Sequence, residues 1–213
     1  KITTFSGMLN QHEFKERYVF IVQRKANDLS REDVAFLQGR SPYDIIDYEE
    51  LSNQIKMDYK DQEVMATIFK TLTPKPPAFD YLIDKQNISH EKRMIRGTYI
   101  TSEKGCLYQF NHPWTIKRIN KPILIDFKIS RDSKYDEEIK LLLKSQLNML
   151  IRLDYFENKH SPIKIYNKIY SDIRIKWRPL FTPLLKQVVY DFIRTDKLVP
   201  INESGHIYYQ IKH

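Results

Sequence analysis

A chain of 213 residues with 41% hydrophobic residues, 11 phenylalanines and 14 tyrosines has the apolar surface to bury a core, and five glycines are too few for a flexible or low-complexity segment. The net charge of +8 turns the expected partner toward an anion, nucleic acid before membrane. A single cysteine, Cys106, excludes an internal disulfide framework and a cysteine-built zinc or iron–sulfur site and gives an intracellular, reducing expectation, and no apolar run approaches the length needed to cross a membrane.

The first residues, Lys1–Gly7, lack the apolar stretch of a signal peptide, and the opening on Lys1 rather than Met fits a processed product or part of a larger polypeptide or complex. Tyr18–Arg24 (Tyr-Val-Phe-Ile-Val-Gln-Arg) reads as a strand. Ser30, with Asp33 three residues on, has the spacing of a capping box that opens a short helix to about Gln38. Ser41-Pro42 supplies a cap and a first-turn proline to a helix carrying Ile45, Ile46, Tyr48 and Leu51, and another helical stretch runs from Asp61 to about Leu72. Thr73-Pro74-Lys75-Pro76-Pro77 then breaks helix, which divides a mostly helical N-terminal region, 1–77, from a core, 78–213.

Within that core His90–Ile100 reads as a helix or helix end, and Cys106–Phe110, Trp114–Ile119 and Ile123–Ser130 read as three short strands of a meander. From Tyr135 the period becomes helical, with Ile139, Leu142, Leu143, Leu147 and Leu150 as an apolar stripe. Ile163–Arg178 alternates, a helix capped by Thr182 runs from Pro183 to about Arg194, and Ile207–Ile211 closes the chain as a strand. The order predicts an α/β (α+β) fold: a central mixed, partly antiparallel sheet flanked by helices, with a mostly helical N-terminal lobe.

The segment Ile123–Ser130 carries the strongest chemical signal. A strand alternates its faces, so Asp126 and Lys128 share one side of an otherwise apolar run, where charges pair, bind metal or do chemistry. Carboxylate oxygens suit Mg²⁺ or Mn²⁺, and an ammonium beside them can position or help deprotonate a water attacking a phosphodiester. Gln146 falls on the apolar row of the following helix, where a polar side chain is out of place unless it serves a site.

The order Asp-x-Lys on a strand, then Gln146-Leu147 on the next helix, resembles the RecB-type branch of the PD-(D/E)xK nuclease superfamily over Gly97–Ile151, and Asp126-Phe127-Lys128 is similar to the equivalent strand of viral cap-snatching endonucleases. The resemblance implies a restriction-endonuclease-like core and hydrolysis of DNA or RNA with Mg²⁺ or Mn²⁺. Asp126, Lys128 and Gln146 would be the catalytic set, and Asp126 would bind the metal. The superfamily's first acid has no Asp counterpart, since none lies between Gly97 and Ile125. Glu103 is the nearest upstream carboxylate and the expected second ligand; Asp80 and Asp84 lie further back, and Glu137 or Glu138 would serve if the acid has migrated. The upstream histidine of the metal site falls at His90 or Glu91. Against this stands a plainer reading, in which Asp126 and Lys128 form a surface ion pair on a non-catalytic nucleic-acid-binding or ribonucleoprotein subunit.

Two further patterns bear on partners. If Ile163–Arg178 is a strand or hairpin, its isoleucines and Trp177 take one parity, and Lys164, Tyr166, Lys168, Tyr170, Arg174, Lys176 and Arg178 take the other. Such a face would neutralise phosphates and stack unpaired bases. Ser204-Gly205-His206 resembles the Ser-x-His strand of archaeo-eukaryotic primases, although the Asp-x-Asp those enzymes need is absent. No P-loop, Gly-x-Gly-x-x-Gly or His-x-x-x-His pattern occurs, so a nucleotide fingerprint and a zinc-hydrolase motif are both missing.

Overall fold

The computed structural model describes residues 1–72, 89–103, 105–114, 123–126, 133–173 and 178–212, with the backbone alone at 70–72, 123–126, 133–135, 172–173 and 178–180. Among them the fold is mixed α/β: seven α-helices, a four-stranded sheet and a two-stranded hairpin. The larger sheet has the order β1 (Ile2–Leu9), β2 (Arg93–Ser102), β3 (Gly105–Asn111), β4 (Ile123–Asp126), and every pairing described is antiparallel. Its first strand comes from the N-terminal region and pairs with β2 along all eight residues, Ile2 opposite Ile100 through Leu9 opposite Arg93. The helical N-terminal part is therefore tied into the sheet rather than standing apart from it, and the proline run expected to divide them lies outside the described residues.

Helix α1 (Gln11–Ala26) replaces the strand expected at Tyr18–Arg24. Asn10 caps it, with Asn10 Oδ1 accepting from the Glu13 amide and Glu13 returning a carboxylate to the Asn10 amide, both at 2.9 Å. Buried residues ring this helix, from Phe14, Tyr18 and Ile21 to Lys15, Arg17 and Gln23, so its sequence has no polar stripe and its β-branched run imitates a strand. Phe14 and Tyr18 meet Phe110 of β3 at ring separations of 5.5 and 6.2 Å, which seats α1 on the inner face of the sheet.

The next helices follow the sequence closely. α2 (Arg31–Gln38) opens on the Ser30–Asp33 capping box and stops at Gly39, whose φ of +69° is left-handed; α3 (Pro42–Glu49) opens on Ser41-Pro42; α4 spans Tyr59–Leu72. The helix expected at His90–Ile100 is instead strand β2. Its Gly97 passes the ring of Phe5 so closely that a Cβ would collide with it. β3 pairs directly with β4, Gly105 opposite Asp126 and Tyr108 opposite Ile123. Trp114 packs near Phe14 and His112 outside any strand, and 115–119 lie outside the described residues.

The C-terminal part is helical where alternation suggested a strand. α5 (Ser133–Arg152) packs chiefly on α7 (Arg178–Arg194), and α6 (Pro162–Ile173) occupies most of the supposed cationic ladder. Thr182 is buried inside α7 and does not cap it, with Pro183 following in the helix. Strands β5 (Leu198–Glu203) and β6 (His206–Ile211) form a hairpin whose two-residue loop, Ser204 and Gly205, has φ of +52° and +78°. Two positive φ values in a two-residue loop match the twist of the strands they join, so Ser204-Gly205-His206 is a hairpin turn. The hairpin docks on the end of α2, where the Ile207 amide donates to the Gly39 carbonyl at 2.7 Å. No helix among the described residues is long and apolar enough to cross a membrane.

Candidate functional site

The hairpin turn between β2 and β3 and the end of β4 lie together. Ser102 and Gly105 are register partners, and Glu103, in the turn that follows Ser102, is exposed. Asp126, the last residue of β4, stands opposite Gly105. Opposed Cα atoms in antiparallel strands lie about 4.5–5.5 Å apart, so Asp126 is one strand from the root of the turn that carries Glu103. The two carboxylate residues singled out as metal ligands thus occupy one end of the sheet.

His90 does not join them. It is exposed ahead of Arg93, at the other end of the 10-residue strand β2, which at about 3.4 Å per residue puts it roughly 30 Å from the Glu103 turn. Glu91 lies at that far end too, paired with Arg93 at 2.7 Å. Glu137 and Glu138 are exposed on α5, Glu137 engaged with Lys140 at 2.8 Å, and Lys128, Asp80 and Asp84 lie outside the described residues. Gln146 is half-buried on α5 between Leu143, Leu147 and Leu150, and its Oε1 is buried with no hydrogen-bond partner among the described residues. Of the stripe it belongs to, Ile139, Leu143, Leu147 and Leu150 are buried and Leu142 is 40% exposed.

The cationic ladder is corrected in kind. On helix α6, Lys164 and Lys168 are one turn apart and both exposed, while Tyr166 is 1% exposed and Tyr170 half-buried, on a different side of the helix. Tyr166 stacks on Tyr170 at 5.7 Å and meets Phe181 of α7 edge-on at 4.9 Å, so the Tyr166 ring belongs to the core and Tyr170 packs against it. Arg174 and Lys176 lie outside the described residues, and Arg178 opens α7.

Two polar constellations escaped the sequence reading. In the first, Glu49 at the end of α3 is fully buried and takes Arg24 Nε at 2.6 Å and Nη2 at 3.0 Å, Arg31 Nε at 2.6 Å and the Tyr108 hydroxyl at 2.5 Å. Burial alone would raise its pKa, but the two guanidiniums and the phenol hold it below the usual carboxylate range. Arg31 also lies over the Tyr99 ring at 4.6 Å and binds Glu50 at 3.1 Å. This network ties α1, α2, α3 and β3 together; Glu49 is satisfied within it and has no oxygen left over for chemistry.

The second brings Asp58, Asp61 and His206 within 4.8 Å of one another, ligand atom to ligand atom, a grouping able in principle to hold a cation. Its carboxylates are already employed. Asp58 Oδ1 accepts from the Asp61 amide at 2.8 Å and Asp61 Oδ2 accepts from the Asp58 amide at 3.0 Å, a reciprocal cap at the start of α4. Arg40 binds Asp61 through Nε at 3.0 Å and Nη2 at 2.5 Å and reaches Asp58 at 3.5 Å, so a guanidinium fills the place of a cation. The Asp-x-x-Asp spacing ahead of α4 was the available sequence signal, and it means a helix cap. His206, 4% exposed, approaches Asp61 Oδ1 at 3.2 Å, and burial, with the charges of Arg40 and Lys60, depresses its pKa against the pull of Asp61 and Asp58. Comparison with known proteins returns no matching family model, no matching curated protein and no matching solved structure.

Proposed function

We propose that the chain is a divalent-metal-dependent nuclease whose reacting centre lies at the end of the sheet marked by Glu103 and Asp126. One observation carries the reading: the Gly105–Asp126 register sets the last residue of β4 beside the turn that holds an exposed, upstream carboxylate. Two hard oxygen donors of this kind fit Mg²⁺ or Mn²⁺, which when bound supplies charge for a phosphate oxygen and lowers the pKa of a water. Asp126 and Glu103 would hold the ion, and Lys128, two residues beyond Asp126, would orient the attacking water and take up or release its proton. Gln146 has a buried amide oxygen without a partner among the described residues, and in this reading it positions Lys128 or a phosphate.

The test is cleavage of end-labelled single-stranded and duplex DNA and RNA with Mn²⁺ or Mg²⁺. The unmodified chain is expected to cut at least one of these, and Asp126→Ala and Glu103→Ala to lower the rate by about 10²-fold or more while leaving nucleic-acid binding in place. Cleavage that Glu103→Ala leaves untouched removes the second ligand. Binding without cleavage on all four substrates replaces the enzyme with a non-catalytic nucleic-acid-binding subunit.

A further inference from the structure

We propose that the free edge of β1 is a pairing surface for a second copy of this chain, joined β1 to β1 in antiparallel register. Lys1 and Thr101 exchange both backbone hydrogen bonds, each at 2.8 Å, which fixes the phase of the β1–β2 ladder. Hydrogen-bonded and non-hydrogen-bonded pairs alternate along such a ladder, so Thr3, Phe5, Gly7 and Leu9 also bond toward β2, and the amide and carbonyl groups of Ile2, Thr4, Ser6 and Met8 point away from it. β1 ends the strand order, and those outward groups have no hydrogen-bond partner among the described residues.

The sequence of the strand from Ile2 to Leu9 does not discourage pairing. The strand Ile-Thr-Thr-Phe-Ser-Gly-Met-Leu holds no charge and no proline, and its register with β2 runs without a bulge. Monomeric proteins blunt their edges with charged residues, prolines, bulges or covering loops, and a neutral, straight strand of eight residues in a chain of net charge +8 departs from that practice. The strand's own residues, which complement themselves, select a second copy as the occupant. Two such chains repel over most of their surfaces, and this neutral edge is a stretch where two copies meet without like charges opposed.

The residues complement themselves in one register. Pairing the outward groups of both copies across a two-fold axis at Phe5 puts Ile2 opposite Met8 of the second copy and Thr4 opposite its Ser6, with Leu9 opposite Lys1 just before the strand. Ile2, 68% exposed, and Met8, 39% exposed, then cover each other beside Met94, 52% exposed on β2, and the Thr–Ser pair adds a hydroxyl contact. An edge of this length, about 27 Å, falls short of the roughly 800 Å² per partner of a standard interface, so the dimer is reversible and concentration-dependent.

Sedimentation of the full chain from about 1 µM to about 500 µM, the range of weak reversible pairs, is expected to show monomer passing to dimer. Thr4→Pro deletes an outward amide that β2 does not use, so it should abolish the dimer with the monomer still folded by circular dichroism. Thr4→Lys, which leaves the backbone intact, should do the same if the proline variant does not fold. Register is read by oxidation: a Thr4→Cys chain mixed with a Ser6→Cys chain should form a disulfide across a pair whose Cα atoms are about 5.5 Å apart, and neither alone should. A chain that stays monomeric throughout, a dimer that survives both Thr4 variants, or cross-linking of the Ser6→Cys chain with itself overturns the proposal.

Discussion

Glu49 shows how a single carboxylate can hold several elements. With Arg24, Arg31 and Tyr108 all directed at its two oxygens, removing its charge leaves two guanidiniums facing each other in a buried site. Glu49→Gln should therefore destabilise the fold by about 3–5 kcal/mol, whereas Tyr108→Phe, which removes the hydrogen bond to Glu49 and those its hydroxyl accepts from Arg24 and Arg31, should cost at least about 1.5–3 kcal/mol. Urea unfolding of both variants and of the double variant checks this, and the effects should not add, because the groups share one acceptor. His206 makes a separate prediction in pH. Its folded pKa lies below the ordinary value of about 6.5, so between the two values the unfolded chain binds more protons. The contribution of His206 is complete above the ordinary value and is lost as pH falls toward the depressed one. Melting curves should consequently show His206→Gln weakening the decline of Tm as pH falls below about 6.5. His160 is shifted in the same direction but is present in both chains, so the comparison isolates His206.

At the level of elements, legibility followed locality. The caps of α2 and α3 rest on residues adjacent in sequence, Ser30 with Asp33 and Ser41 with Pro42, and both helices stand where those signals put them. α1 was unreadable by period because the core surrounds it, although Asn10 and Glu13 carry the same local signal as Ser30 and Asp33. The ladder failed for a different reason: Ile165, Ile169 and Ile173 recur every four residues, a spacing that suits one face of a strand and one face of a helix equally. Of the candidate site, β4 and its acid were legible as a strand, but whether Glu103 or His90 could join Asp126 depended on β2, which was read as helix. Only pairing partners distant in sequence decide that. The docking of the C-terminal hairpin was likewise invisible and is open to test at Gly39. There φ is +69° and a Cβ would come within 2.6 Å of the Ile207 carbonyl oxygen, a position no side chain can take without displacing β6. Gly39→Ala should cost more than about 1 kcal/mol, and hydrogen exchange should show the amides of β5 and β6 losing protection before those of the larger sheet.

For the molecule as a whole, the net charge of +8 is a statement about encounter with polyanions, and its distribution decides whether any face is preferred. Lys164 and Lys168 are the members of the former ladder whose exposed side chains are described, one helical turn apart on α6. Replacing both with glutamate changes the charge by −4, from +8 to +4. If this turn of α6 contacts phosphates of a single strand, the double variant should bind an oligonucleotide more weakly, and its log-affinity against log-salt slope should be shallower by about 1.4, since each phosphate contact on a single strand contributes about 0.7. Lys56→Glu with Lys92→Glu makes the same change of charge at two other exposed positions. Fluorescence anisotropy across a salt series separates the outcomes. A loss confined to the α6 pair assigns the face, and an equal loss in both pairs leaves only a diffuse positive field. A chain that binds no nucleic acid even at low salt removes the polyanion reading and takes with it the substrate of the proposed nuclease.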